Sequence, residues 1–395
     1  MKKVVIAYSG GLDTSYCAKY LSAEENFEVH AVSVNTGGFS AEEIEKIGSN
    51  AKKIGAASYI NIDAVSTFYQ KVVKYLIYGN VLKNNTYPLS VSAERIIQAI
   101  EIVNYAKKIG AEYIAHGSTG AGNDQVRFDM IFQILAPGIN IITPIRDKQL
   151  TRQEEIEYLK SKGVEMNWEK AKYSVNKGLW GTSVGGAETL TSNLPLPETA
   201  YPSQLQKKVP KQVVLSFEKG ELSALNGEKN NPEKNIEILE GIASKYAIGR
   251  DIHVGDTIIG IKGRVGFEAA AALITIKAHH LLEKHTLSKW QLQHKDYLAN
   301  WYGTHLHEGQ YLDPVMRNIE AFLESSQEQV TGDVFVSLHP YRFVLNGVDS
   351  TFDQMNSNFG NYGEENKAWT ADDAKGFIKI LSNPGKIYQH VKNNQ

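Results

Sequence analysis

The sequence predicts an α/β protein: an N-terminal doubly wound parallel sheet, then an α+β domain, then a C-terminal helix. Three observations carry this. Short apolar runs alternate with amphipathic stretches through residues 1–165. The first apolar run, 4–8, ends in Ser9-Gly10-Gly11-Leu12-Asp13-Thr14-Ser15, a glycine turn leading from strand to helix. Composition then shifts, with 167–203 rich in Gly, Ser, Thr, Asn and Pro, and hairpin signals follow among helices. The expected domains are 1–165, 166–370 and a terminal helix and tail at 371–395.

Composition bounds the possibilities. At 395 residues the chain exceeds one typical core, and 42% apolar with 22% charged residues suits a globular protein of two domains. A net charge of −2 gives no electrostatic reason to expect nucleic acid. The single cysteine, Cys17, excludes a disulfide framework and a cysteine-rich zinc site. The N-terminal apolar run is too short for a signal peptide, and the run 269–276 is too short to cross a membrane. The expected location is the cytoplasm.

The elements follow in order. After the first strand and helix, 27–34 reads as strand two, ending in a second glycine loop, Asn35-Thr36-Gly37-Gly38. Ser40 with Glu43 forms a capping box for a helix running to Gly55. A third strand at 59–62, a helix at 65–77, a loop over 79–92 and a helix over 93–108 stopped by Gly110 come next. Strands four and five fall at 112–116 and 139–142, and Thr151 with Glu154 caps a further helix. The stretch 167–203 reads as irregular, both a domain crossing and a source of substrate contacts. Beyond it come a hairpin turned at Lys219-Gly220, a helix at 232–246 and a strand pair in 254–266. Helices at 269–282, 288–302 and 313–325, a last hairpin over 330–345 and a helix at 371–381 before a polar end complete the chain.

Two adjacent glycines let the backbone approach a ligand. The N–H groups opening the helix have no internal partners, so they cradle a phosphate. Ser9, Thr14 and Ser15 add hydroxyl donors, and Asp13 suits orientation of a magnesium ion. The Gly-Lys-Ser/Thr ending of the common phosphate loop and the G-x-G-x-x-G fingerprint are both missing here. The run instead resembles the pyrophosphate loop of the ATP pyrophosphatase superfamily, which implies an adenine nucleotide α-hydrolase-like sheet and cleavage of ATP between its α and β phosphates.

A second constellation, 116–128, follows strand four: His-Gly-Ser-Thr-Gly-Ala-Gly-Asn-Asp-Gln-Val-Arg-Phe. In a parallel sheet it opens on the same edge as the first loop. Its Asp124 suits an ammonium group and its Arg127 a carboxylate. An ordinary helix cap would explain Asn123 or Asp124 singly, but not the whole run. The two stretches together resemble the argininosuccinate synthase family. So do Tyr87 and Ser92 before Arg95, Ser174 and Ser183, and Gly249-Arg250 with 259–264. That resemblance implies ATP as substrate at Ala7, Tyr8, Ser9, Gly10, Gly11, Leu12, Asp13, Thr14, Ser15, Val34 and Gly117. It implies citrulline at Tyr87, Ser92, Asn123, Arg127, Ser174 and Ser183, aspartate at Thr119, Asn123 and Asp124, Mg2+ with the nucleotide, and a homotetramer. No metal ligands and no catalytic base are assigned.

The chain departs from the family pattern at three places. Ala121 stands where many relatives carry lysine. Gly255 and Phe267 stand where the family has a glutamate and a tyrosine against citrulline. A displaced carboxylate, Asp256 or Glu268, is one expected substitute, and Ser174, Ser183 and Asn123 with water are another. A transfer-RNA-modifying pyrophosphatase would need reactive cysteines and a basic surplus; a non-catalytic nucleotide sensor would have no use for 119–127. His279, His280 and His285 lack the spacing of a metal motif, and Trp290, Tyr297, Trp301 and Tyr302 read as core or subunit interface.

Overall fold

A computed structural model describes residues 1–164, 173–356 and 368–394. The expected boundary at 165/166 lies outside the described residues. The first domain lays out β1 (Lys3–Ala7), α1 (Leu12–Ala23), β2 (Glu28–Asn35), α2 (Ala41–Ile54) and β3 (Ser58–Asp63). Short helices α3 (Val65–Phe68) and α4 (Lys74–Tyr78) flank a π-helical turn, and α5 (Ser90–Ile109) leads into β4 (Tyr113–Ala115). Then come α6 (Asp124–Leu135), β5 (Asn140–Ile142), α7 (Pro144–Lys148) and α8 (Arg152–Ser161). The five strands are parallel, in the order β3-β2-β1-β4-β5. Chain order reverses between β1 and β4, so the crevice for a ligand opens where the two predicted loops emerge. Val4, Val5 and Ile6 are fully buried because helices cover both faces of the sheet.

The expected capping boxes form at Ser40–Glu43 and Thr151–Glu154. The helix expected from residue 93 begins earlier, at Ser90. Leu89 takes a left-handed φ of 60°, and the Tyr87 hydroxyl accepts from the Val91 N–H at 3.3 Å. An aromatic hydroxyl thus does the work of a cap, which no local cap pattern announces.

The second domain contains two antiparallel sheets. One joins β6 (Ser174–Gly178) and β7 (Gly181–Gly185) to β11 (Arg250–Asp256) and β12 (Lys262–Glu268), in the order β11-β12-β7-β6. The other is built from β8 (Lys211–Glu218), β9 (Glu221–Leu225), β10 (Glu228–Lys229), β13 (Gly332–His339) and β14 (Arg342–Asp349). Helices α9 (Pro232–Ala243), α10 (Ala270–Thr286), α11 (Lys289–His307) and α12 (Pro314–Ser326) complete it. The chain ends in α13 (Ala371–Leu381) and α14 (Asn383–Asn393), so the expected polar end is helical. The β6–β7 hairpin corrects the reading of 167–203 as irregular. Its first strand, Ser-Val-Asn-Lys-Gly, lacks apolar alternation because only Gly178 of it is buried. The hairpin tip docks on the first domain: Leu179 N–H donates to Thr36 O at 2.9 Å, and Trp180 Nε1 to Pro88 O at 3.0 Å. One apolar core runs through both domains, from Val5 and Ile114 to Leu215, Ile274 and Val334.

Candidate active site

A cavity of about 1090 Å³ opens at the switch point between β1 and β4. The first loop forms one wall. Gly10 sits at φ +77°, a conformation that favours glycine. Gly11 precedes α1 without a side-chain cap, so the opening N–H groups stay available. Ser9 Oγ lies 3.3 Å from Thr14 Oγ1, and Thr14 Oγ1 donates to Gly11 O. Ser15 departs from expectation. It is fully buried, its Oγ 3.3 Å from the Tyr8 hydroxyl, so its side chain supports the loop from beneath. Of the residues expected around the nucleotide, Gly10 and Ser15 do not line the cavity; the others, with Val34 and Gly117, do.

Glu155 of α8 lies behind this loop. Burial first, and then the adjacent Asp13 carboxylate with its hydrogen bond, push the Glu155 carboxyl up to about 8. Near neutral pH it therefore carries a proton, which limits its repulsion of the Asp13 carboxylate. Sequence reasoning used its neighbour Glu154 as a cap and passed over Glu155. Its spacing of four from buried Leu159 marks the inward face of α8.

The second loop packs directly on the first. A Cβ on Gly117 would come within 3.1 Å of the Asp13 carbonyl carbon and 3.2 Å of the Thr14 nitrogen. His116 braces the turn: Ser118 N–H donates to its Nδ1 at 3.2 Å, so Nε2 carries the proton and donates to Asp129 Oδ1 at 2.9 Å. Asn123 precedes α6 but makes no side-chain cap bond; its Oδ1 instead accepts the Ile258 N–H at 2.9 Å, tying the loop to the second domain. The bland cap reading therefore fails for Asn123. Thr119, Asn123 and Asp124 line the cavity, as do Tyr87, Ser92, Arg127, Ser174 and Ser183.

Asp124 and Arg127 belong to a charge network that the sequence did not reveal. Asp124 accepts from Arg95 Nε at 3.0 Å and from Arg127 Nη1 at 2.9 Å. Burial works to raise its carboxyl, but the two guanidiniums outweigh this and hold it below the usual range. Arg127 is not the open fork expected. Its Nε and Nη2 both donate to the His307 carbonyl, at 3.0 and 2.8 Å, which ties α6 to α11. N–H groups remain on Nη1 and Nη2 for a ligand, since a guanidinium has five. Arg95 continues the network to Glu94 Oε1, and Thr36 Oγ1 donates to Glu94 Oε2 at 2.7 Å.

Glu94 gives a pH prediction. Burial pushes its carboxyl up to about 7, against Arg95 and the Thr36 hydroxyl. An acid raised in the fold binds a proton that the unfolded chain has released. Its contribution to stability is therefore present below the unfolded value, about 4.5, and is lost as pH rises toward 7. Glu94→Gln is expected to flatten the fall in melting temperature across that window relative to wild type. Parallel melting curves from pH 4.5 to 7.5 would refute it.

The corner around Gly255 is filled by neither expected carboxylate, while Ser174, Ser183 and Asn123 of the other expected substitute do line the cavity. Glu268 is buried and turned away, accepting from Arg250 Nε at 3.0 Å and from the Ser203 N–H at 3.2 Å. Asp256 is exposed at the rim and paired with Lys262 at 2.7 Å. The space beside Gly255 belongs to His253, which stacks on Tyr87 with ring centroids 5.2 Å apart. Phe267 is fully buried against the same tyrosine, 5.3 Å away. His279, set aside as a metal ligand, sits buried between Asn80 and Gln327.

Comparison with known proteins agrees with this arrangement across the chain. Residues 3–165 match the family described as Arginosuccinate synthase N-terminal HUP domain, and 173–388 its C-terminal domain. The argininosuccinate synthase of Methanocaldococcus jannaschii is 36% identical over 391 residues, 98% of each chain. That of Sulfurisphaera tokodaii is 35% identical over 394 residues, 99% of this chain and 100% of its own. That of Xanthomonas axonopodis pv. citri is 35% identical over 402 residues, covering 99% and 95%. The chain belongs to the argininosuccinate synthase family of ATP-binding ligases.

Proposed function

We propose that the chain ligates citrulline to aspartate at the expense of ATP, forming argininosuccinate, AMP and pyrophosphate. What carries the reading is the contact of the two loops at Gly117, which makes phosphate cradle and amino-acid groups walls of one cavity. Ala7, Tyr8, Ser9, Gly11, Leu12, Asp13, Thr14, Val34 and Gly117 hold ATP, with Gly10 shaping the turn and Ser15 bracing it from beneath. Tyr87, Ser92, Asn123, Arg127, Ser174 and Ser183 hold citrulline; Thr119, Asn123 and Asp124 hold aspartate. The ureido oxygen attacks the α phosphorus, and the bond from that phosphorus to the bridging oxygen breaks, releasing pyrophosphate. The aspartate amine then attacks the ureido carbon, and the carbon–oxygen bond breaks with AMP taking the electron pair while the amine loses its proton. Positioning and charge stabilisation supply most of the rate. Domain 1–165 holds the nucleotide and most of the groups for the two amino acids, 166–370 completes the substrate pocket and contributes to multimerisation, and 371–395 is a C-terminal helix and tail that serves assembly.

Magnesium fits here as an ion held mainly by the phosphates. Among the described residues no group of three or more His, Cys, Asp or Glu side chains is placed to hold a metal, and Asp13 sits at the cradle. When bound, the ion would neutralise charge on the departing pyrophosphate. Self-association is supported by α13 and α14, which expose Phe377, Ile378, Ile380, Leu381, Ile387 and Tyr388 and bury no residue, and the family resemblance implies that the assembly is a homotetramer. No described helix is long and apolar enough to cross a membrane, and a cytoplasmic setting suits the substrates.

The test is pyrophosphate release by the purified protein with ATP, aspartate and a citrulline-type acceptor, omitting each in turn. Sustained release over many turnovers is expected to require all three, with at most one equivalent per active site when aspartate is omitted, and Asp13→Ala should abolish it with an unchanged melting curve. Release without acceptor, sustained release without aspartate, or full activity of the variant would overturn the reading.

A further inference from the structure

We propose that the acceptor this pocket selects is a citrulline whose α-amino group is acylated, a neutral amide in place of an ammonium. The inference rests on the ligation reading above and changes its acceptor to the Nα-acylated form, whose product is the corresponding Nα-acyl argininosuccinate. A free α-ammonium held beside Arg127 needs a carboxylate, because an unpaired buried charge is costly. Five carboxylates line the cavity among the described residues: Asp13, Glu43, Glu94, Asp124 and Asp256. Asp13 sits at the phosphate cradle in the first turn of α1. Glu43 accepts the Ser40 N–H in the α2 capping box. Glu94 is bound by Thr36 and Arg95, and Asp124 by Arg95 and Arg127. Asp256 pairs with Lys262 at the exposed rim.

The corner beyond Arg127 is instead cationic and neutral. Burial first, and then Arg127, Lys83 and His253, lower His307 to about 3. Burial and Lys83 likewise lower His253. Both imidazoles are neutral, and the charges acting on them are positive. An ammonium placed there meets repulsion, whereas an N-acylated amino acid brings only its carboxylate.

The same corner offers bare backbone and a neutral hydrogen-bonding group to an acyl amide. Gly255 and Gly263 are directly paired across β11 and β12, so both face the cavity as bare backbone. A carboxylate cannot be presented from position 255 in this arrangement. A Cβ there would lie 2.8 Å from His253 Nε2 and 3.1 Å from Asn84 Nδ2. His253 is only 6% exposed, and its Nδ1 has no hydrogen-bond partner among the described residues. A neutral imidazole, able to donate or accept according to its tautomer, matches the carbonyl or N–H of an acyl amide. Tyr87 closes the corner by stacking on His253.

The experiment compares pyrophosphate release with ATP, aspartate and either L-citrulline, Nα-acetyl-L-citrulline or Nα-succinyl-L-citrulline. An Nα-acyl acceptor is expected to exceed citrulline at least tenfold in kcat/KM, the acetyl and succinyl arms reporting whether a second carboxylate is wanted. A kcat/KM for citrulline equal to or above both acyl forms overturns this inference and leaves the ligation reading standing. No aspartate-dependent release from any acceptor overturns the ligation reading itself. His253→Ala is expected to lower kcat/KM for the acyl acceptor at least tenfold with the KM for ATP unchanged. A parallel loss for citrulline and acyl acceptor would remove His253 from the assignment. The double variant His253→Ala/Gly255→Glu, which makes space for the carboxylate, should shift preference toward citrulline; no shift counts against the proposal.

Discussion

Lys295→Met is expected to destabilise the protein by about 3–5 kcal/mol, because it strands a buried carboxylate. Lys295 and Glu283 are both fully buried, their Nζ and Oε2 2.9 Å apart, and Lys295 also donates to the Tyr78 carbonyl at 3.1 Å. The pair joins α10 and α11 to the end of α4, where the two domains share their core. Coulomb attraction does not make such a pair stabilising overall, since desolvation opposes it; breaking it leaves the cost of one charge unanswered. The denaturant midpoint should fall accordingly, and the double variant Lys295→Met/Glu283→Leu should recover most of the loss. A single-variant change under about 1 kcal/mol would sink the account.

Gly38→Ala is the second large expectation, and it strikes activity. Gly38 takes no left-handed angle, so alanine strains nothing locally; the added carbon would instead overlap the carbonyl oxygen of Lys177 at the hairpin tip. Backbone meets backbone there, and one must move. Misplacement of a binding wall by about 1 Å costs on the order of 10²-fold in rate. We expect kcat/KM to drop by about that factor, with retained circular dichroism. Gly138→Ala, which meets nothing within 4 Å, serves as the control. Wild-type kcat/KM in Gly38→Ala would show that the hairpin does not form a working wall.

Local chemistry decided what the sequence could reveal. Ser40 with Glu43, Thr151 with Glu154 and the Gly10-Gly11 turn are short-range devices, and each was legible because its partners lie within a few residues. The five parallel strands were legible because burial on both faces leaves continuous apolar runs. The failures share another cause. β6 takes its place by pairing with Gly181–Gly185 and facing the cavity, so its polar composition concealed a strand. Ser15 read as a ligand hydroxyl because nothing nearby says that Tyr8 lies beneath it. Arg127 read as a free fork because its partner, the His307 carbonyl, is remote in sequence. Position 255 was legible as a gap, whereas what fills that gap, His253, shows only in three dimensions.

The docked β6–β7 hairpin also has a kinetic consequence. The strands and loops that cradle phosphate are all made before the hairpin emerges during synthesis, yet Leu179 and Trp180 must return to Thr36 and Pro88 to close the crevice. Contacts between such distant segments form late, because chain entropy opposes them until much of the fold is in place. A nascent chain holding only the first domain would therefore present its cradle open on one side. Completion of that side reports that the second domain has arrived, so the geometry ties the onset of ligation to the end of folding.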